Sequence, residues 1–186
     1  MAENIVLSSL EISKALTRIA HEIVEKNRDT QNIILVGLLT RGVPLAHRLS
    51  LLIHDFEGLL VPVGSLDFRS YRDDIDYCTN PPNKESTNYF TSNITGKIVV
   101  LVDDVLSTGR SVRASMDALV RLGRPKCIQL AVLVDRGHRE IPIKADYVGK
   151  NIPSSKEERI QVKLTEIDNS DFVICMTRSE NQLLRI

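Results

Sequence analysis

Two adjacent aspartates, Asp103 and Asp104, follow an apolar run, Ile98 to Val102. After Val105 and Leu106 come small, hydroxyl and basic residues: Ser107, Thr108, Gly109, Arg110 and Ser111. Two kinds of chemistry meet in this stretch. The hydroxyls and backbone N–H groups at the start of a helix suit a phosphate, because a first turn leaves donors without partners and its dipole favours an anion. Gly109 allows close approach of that backbone. The carboxylates would repel the phosphate, so they must face another part of the ligand: vicinal ribose hydroxyls, or positive charge developing at a sugar carbon. A ribose 5-phosphate activated at C1 satisfies both demands.

The elements that must hold these groups are a strand and a helix. A short Val/Ile-rich run reads as a strand buried on both faces. Beyond Ser111 the period turns helical, with Val112, Met116, Leu119 and Val120 expected on one side,. Strand, turn and helix occur in every α/β protein, and an Asp pair alone has an equally good structural explanation as a cap. The full string VVLVDDVLSTGRS is more specific. The chain has neither GxxxxGK[ST] nor GxGxxG, which excludes the usual nucleoside triphosphate and dinucleotide loops,. A phospho-accepting receiver carries its acidic pair near the amino end, whereas here the pair is mid-chain.

Val99 to Ser111 resembles the phosphoribosyl pyrophosphate (PRPP) motif of type I phosphoribosyltransferases. The flanking segments ALTRIAHEI, SYRDD, SMDALVRLGRP, IQLAVLVDRGHREIPIKADYVGKNIP and VKLTEIDNSD resemble one branch of that family, the pyrimidine-operon attenuation regulators that are also uracil phosphoribosyltransferases. The likeness covers nearly the whole chain. The PRPP motif identifies the superfamily; LVDRGHRE with YVGKNIP is more selective.

Composition agrees with a soluble enzyme or regulator. A chain of 186 residues, 42% hydrophobic and 26% charged, is expected to form one domain, 1–186,. It buries roughly 70% of its unfolded surface without staples. With 24 basic and 24 acidic residues the formal charge is zero, so nucleic-acid binding must come from a local patch. The three cysteines, Cys78, Cys127 and Cys175, show no metal spacing and fit a reducing cytoplasm,. The amino end does not read as a signal peptide, since Glu3, Glu11 and Lys14 interrupt it, and no run reaches the ~20 apolar residues of a membrane span.

Ser8 with Glu11 predicts a capping box opening a helix to Lys26, whose apolar face is Ile12, Ala15, Leu16, Ile19, Ala20, Ile23 and Val24,. Ile33 to Leu39 reads as a buried strand leading through Thr40-Arg41-Gly42 into a helix over 43–56. Leu59 to Tyr71 is extended, with Pro62 arguing for an edge or bulge. Asp74 to Gly96 is a long polar loop, disordered or a lid. Ile128 to Val134 is a further strand, Arg159 to Thr165 and Phe172 to Met176 a closing pair, and the last ten residues an unpatterned tail. Three strand-turn-helix units predict a mostly parallel α/β sheet flanked by helices.

The resemblance implies the rest: a type I phosphoribosyltransferase-like fold with a flexible flap, about 72–96, and a small base-binding hood. It implies PRPP and phosphate contacts from Thr40, Arg41 and Gly42, from Val105 to Ser111, and from Tyr71 and Arg72. Asp103, Asp104 and Arg41 would be catalytic, and Val134, Asp135, Arg136 and His138 would meet uracil. Thr17, Arg18, His21, Arg139, Lys144 and Lys150 would meet the leader RNA of pyrimidine genes. Mg²⁺ would be held by substrate diphosphate and ribose, with Asp103 and Asp104 adding contacts through water. A homodimer or higher homo-oligomer, UMP or UTP as effectors and a cytoplasmic setting complete the expectation. The rival readings are a uracil phosphoribosyltransferase without RNA work and a nucleotide-sensing module with little catalysis. Three residues depart from the family pattern: Leu39 where a basic residue is usual, Ser107 where an aromatic one is common, and Arg69 in place of a small hydroxyl residue.

Overall fold

The computed structural model describes residues 4–72, 88–90 and 93–177. The chain runs β1 (Asn4–Ser8), α1 (Ser9–Lys26), β2 (Ile33–Leu38), α2 (Gly42–Glu57), β3 (Val63–Leu66), β4 (Ile98–Leu106), α3 (Arg110–Leu122), β5 (Cys127–Asp135), β6 (Tyr147–Asn151), β7 (Glu158–Lys163), α4 (Thr165–Asp168) and β8 (Phe172–Thr177). Five strands form a sheet in the order β3-β2-β4-β5-β6, and β1, β8 and β7 form a second. The named strands of the larger sheet pair in parallel and those of the smaller one antiparallel; Ser65 of β3 also makes a lone antiparallel bridge with Tyr89.

Alternation along the central strands explains their unbroken apolar runs. Successive side chains leave a strand on opposite faces. In β4, Ile98, Val100 and Val102 join a core with Ile12, Leu16, Ile19 and Ile23 of α1 and Leu45 and Leu49 of α2. Val99 and Leu101 join the core on the other side, with Val112, Ala114, Ala118 and Leu119 of α3. A sheet covered on both faces has no polar face to show. The capping box of α1 forms as its sequence requires: the Glu11 N–H donates to the Ser8 hydroxyl and the Ser8 N–H to the Glu11 carboxylate. Pro62 precedes the edge strand β3, where a missing donor is tolerated,.

Several expectations are corrected. The strand does not stop before the acidic pair; β4 continues through Asp103 and Asp104 to Leu106, because β5 pairs with it that far. Val120 does not face the core. It is 65% exposed, and Ala118 and Leu119 take the inward positions. The third unit has no helix: β5 passes to β6 through a loop, 136–146, held by its own arginines. Residues 59–71 are extended only over β3 and then close into a 3₁₀ turn, Arg69–Tyr71. Two strands were not foreseen. One, β1, pairs with β8 to complete the small β1-β8-β7 sheet, hereafter the hood; the other, β6, edges the main sheet. Most of the expected flap (73–87, 91 and 92) and the tail from 178 onward lie outside the described residues.

Candidate active site

The carboxyl ends of β2, β4 and β5 meet at one edge. Gly37 of β2 lies opposite Val102 of β4, and Val105 and Leu106 of β4 lie opposite Val134 and Asp135 of β5. Parallel strands therefore deliver the Thr40-Arg41-Gly42 loop, the acidic pair and the segment after Val134 to one place, where open α/β sheets bind ligands. The loop lies close to the sheet because of a glycine: a Cβ on Gly42 would stand 2.2 Å from the carbonyl oxygen of Val102. The Leu39–Thr40 peptide bond is cis, and Thr40 is exposed.

Asp103 and Asp104 are half-buried and fold back on the main chain. The Asp104 N–H donates to Asp103 Oδ1 at 2.9 Å, and the Val105 N–H to Asp104 Oδ1 at 2.8 Å. Burial, then the charge of Asp104, pushes the Asp103 carboxyl well above the usual range. Burial also raises Asp104, against the backbone N–H of Val105 and the positive charge of Arg41. A site that raises the cost of two negative charges is poised to take up positive charge.

Past Leu106 the chain turns through Ser107 and Thr108 into Gly109, whose φ of 90° places it in the left-handed region that glycine favours,. Gly109 is the N-cap of α3 and has no side chain to close that helix end; the Thr108 hydroxyl accepts from the Arg110 N–H at 3.3 Å. The loop after β5 folds over this turn. The Glu140 and Ile141 N–H groups donate to the Thr108 carbonyl, Arg139 Nη1 donates to the Ser107 carbonyl, and Arg110 pairs with Glu140 at 2.7 Å. Ser111 is the second residue of α3 and receives the Ser115 hydroxyl on its carbonyl. A cleft of about 330 Å³ lies between the two segments, lined by Ser107, Thr108, Arg136, His138, Arg139 and Lys156 among others. A larger cleft of about 650 Å³ between α2 and β3, lined by Leu51, Leu60 and Tyr89 among others, contains none of the candidate site residues.

The other expected base contacts are fixed by the hood. Arg136 donates to the Ser154 hydroxyl and to the carbonyls of Ser155 and Glu158. His138 has a positive φ of 59° and brings Nε2 to 2.5 Å from the Ser154 carbonyl, so Nε2 carries the proton,. Arg139 also pairs with Asp135. Tyr71 stands apart: its ring lies under the Arg121 guanidinium, 5.4 Å from the ring centre, toward the far end of α3 from Gly109. Arg72 follows the 3₁₀ turn and donates its N–H to the Arg69 carbonyl.

On α1, the Thr17 hydroxyl donates to the Ser13 carbonyl and Arg18 Nη2 to the carbonyls of Val148 and Gly149 on β6. His21 is exposed and stacks on Phe56, ring centres 4.1 Å apart. Lys150 donates to the Val6 carbonyl at 3.0 Å, and Lys144 is exposed in the loop after β5. Asp168, which the sequence did not single out, accepts from Arg41 Nη2 at 2.9 Å and from Lys163 at 3.1 Å. Arg48 is bidentate to both Glu166 and Asp171. These contacts tie the hood to α2, and nothing in local sequence announces partners more than a hundred residues apart.

Comparison with known proteins identifies the family of the chain. A family model described as phosphoribosyl transferase domain matches residues 4–167. The bifunctional protein PyrR of Alkaliphilus metalliredigens is 59% identical over 172 residues, 92% of this chain and 94% of that protein. That of Pelotomaculum thermopropionicum is 55% identical over 175 residues, 94% of this chain and 96% of its own length. Among solved structures, the hypoxanthine phosphoribosyltransferase of Trypanosoma cruzi shares the fold, with a TM-score of 0.72 at 19% identity over 95% of this chain and 97% of that one. The parallel sheet flanked by helices is the fold of that solved structure, and the chain belongs to the phosphoribosyl transferase domain family, together with the bifunctional PyrR proteins.

Proposed function

We propose that the protein transfers the phosphoribosyl group of PRPP to uracil, forming UMP and diphosphate, and that with UMP or UTP bound it grips the leader RNA of pyrimidine genes and promotes transcription termination. The observation that carries the chemistry is the meeting of Asp103 and Asp104 with the Gly109 turn and the Arg41 loop at one sheet edge. The regulatory part rests on the high identity to the bifunctional PyrR proteins.

Loss of diphosphate leaves an oxocarbenium-like C1, so catalysis is positioning and charge stabilisation rather than covalent attack. The amides at the start of α3, with Thr108 and Ser111, hold the 5′-phosphate. Asp103 and Asp104 hold the ribose hydroxyls and offset charge at C1. Arg41 neutralises the leaving group. The segment from Val134 to His138 meets uracil through backbone groups. Among the described residues no group of three or more His, Cys, Asp or Glu side chains could hold a metal. Mg²⁺ would therefore be held chiefly by substrate oxygens, with Asp103 and Asp104 adding one or two contacts, as suits an ion that keeps its waters. It would draw charge from the diphosphate as that group leaves.

RNA binding would use Thr17, Arg18, His21, Arg139, Lys144 and Lys150, reading unpaired bases by stacking and hydrogen bonding. His21 is the best placed for stacking, because Phe56 already holds its ring. Arg18, Arg139 and Lys150 are engaged with backbone carbonyls and would act by charge. A neutral chain grips RNA better as a homodimer, working in the cytoplasm; no described helix is long and apolar enough to cross a membrane.

The test is paired on one preparation: uracil turnover with PRPP and Mg²⁺, and affinity for a pyrimidine leader RNA with and without UMP. Both activities are expected. Turnover without UMP-dependent RNA binding leaves the enzyme alone; neither activity overturns the proposal.

A further inference from the structure

The Leu39–Gly42 loop carries a single cation, Arg41, for a diphosphate with several negative charges, and its first residue is the apolar Leu39. The structure brings a second cation to it from the hood. Lys163, the last residue of β7, donates to Asp168 Oδ1 at 3.1 Å; Arg41 Nη2 donates to the same oxygen at 2.9 Å. The ammonium and the guanidinium thus share one acceptor atom. Asp168 is also fixed by the Leu164 N–H at 3.1 Å and lies behind them: 12% of its side chain is exposed, against 27% for Arg41 and 28% for Lys163. The carboxylate is the covered member of the cluster and the cations are its open face. Within this trio one carboxylate meets two cations; Arg41 is also drawn on by Asp104 at the strand end, so Lys163 adds the positive charge that a leaving diphosphate needs.

We infer that Lys163 is a diphosphate-binding residue, carried by the hood to complete the subsite that Leu39 and Arg41 leave short of charge. The inference rests on the proposed phosphoribosyl transfer and adds to it a residue from a different sheet. Asp168 is the positioning residue that sets the two cations side by side. Closing the subsite then requires the hood to be docked, so the base-binding and diphosphate-binding halves are assembled by one contact.

The experiment is calorimetric titration of the full chain with Mg²⁺-diphosphate and, separately, with UMP, for the wild type, Lys163→Gln, Lys163→Arg and Lys163→Gln with Leu39→Lys. Lys163→Gln is expected to weaken diphosphate by about tenfold, or about 1.4 kcal/mol, and to leave UMP affinity unchanged. Lys163→Arg should keep most of the affinity, and a lysine at position 39 should restore it from the loop. Unchanged diphosphate affinity in Lys163→Gln overturns the inference. So does an equal loss of diphosphate and UMP binding, which would make Lys163 a prop of the hood. Diphosphate binding that depends on Lys163 in a wild type that forms no UMP would keep this subsite and sink the proposed reaction instead.

Discussion

Gly42 lies so near Val102 that an added Cβ would come within 2.2 Å of its carbonyl oxygen. Backbone cannot yield as a flexible side chain can, so the loop bearing Arg41 is set against β4 by the lack of one methyl group. Gly42→Ala should separate loop from strand. The expected cost is about 1–3 kcal/mol, typical of overpacking, with a higher KM for PRPP and a smaller effect on UMP affinity. Chemical denaturation and initial-rate kinetics on the same variant check both.

The acidic pair should destabilise the empty protein at neutral pH. Burial raises Asp103 above its usual 3.8 in the folded state. The native chain therefore binds more protons than the unfolded one between 3.8 and the raised value, and stability falls as pH rises through that window,. Asp103→Asn removes the charge while its amide oxygen still accepts the Asp104 N–H. Its thermal midpoint should exceed that of the wild type at pH 7, and the difference should close at pH 3.5 and below. A lower midpoint at pH 7 would contradict the account of this site.

Asp168 predicts the opposite slope. Burial alone would raise it, but Arg41, the Leu164 N–H and Lys163 together bring it down to about 2 from 3.8. Its contribution is fully present above 3.8 and is lost as pH falls through about 2,. Asp168→Asn should be less stable than the wild type at pH 6, with the gap narrowing between pH 4 and pH 2 in urea titrations.

The helix face carrying His21 should separate the two activities. His21→Ala removes an exposed ring stacked on Phe56 without touching the sheet edge, so leader-RNA affinity should fall while uracil turnover stays near normal. Arg18→Ala is a less clean probe, because Arg18 also holds β6 through two carbonyls. Wild-type affinity should fall with salt, with a logarithmic slope of about −0.7 per single-strand phosphate contact. Gel shifts across a salt series measure both.

What could be read from the sequence depended on how locally each feature is determined. The run from Lys97 to Leu122 was legible because burial on both faces leaves a continuous apolar string, and because an abrupt change of period marks the helix that follows. The capping box of α1 was legible for the same reason: Ser8 and Glu11 are three residues apart. β1 was not, since it is five residues long, largely exposed, and exists only by pairing with β8 at the other end of the chain. β6 was hidden by Gly149, which looks like a turn residue but is needed because a Cβ there would stand 2.4 Å from the Leu133 carbonyl. Val120 misled because helical spacing fits several faces, and the sheet took the one with small Ala114 and Ala118. The contact of Arg41 with Asp168 depends on the hood's docking, which no local pattern encodes.

The central claim is that the strand-end aspartates stabilise a phosphoribosyl cation. Its most direct measurement is the initial rate of UMP formation from uracil, PRPP and Mg²⁺ by the wild type and by Asp104→Asn, with UMP affinity measured alongside. The expected result is a rate lower by on the order of 10²-fold in the variant, with UMP still bound. Equal rates in the two proteins, or no UMP from the wild type, would contradict it.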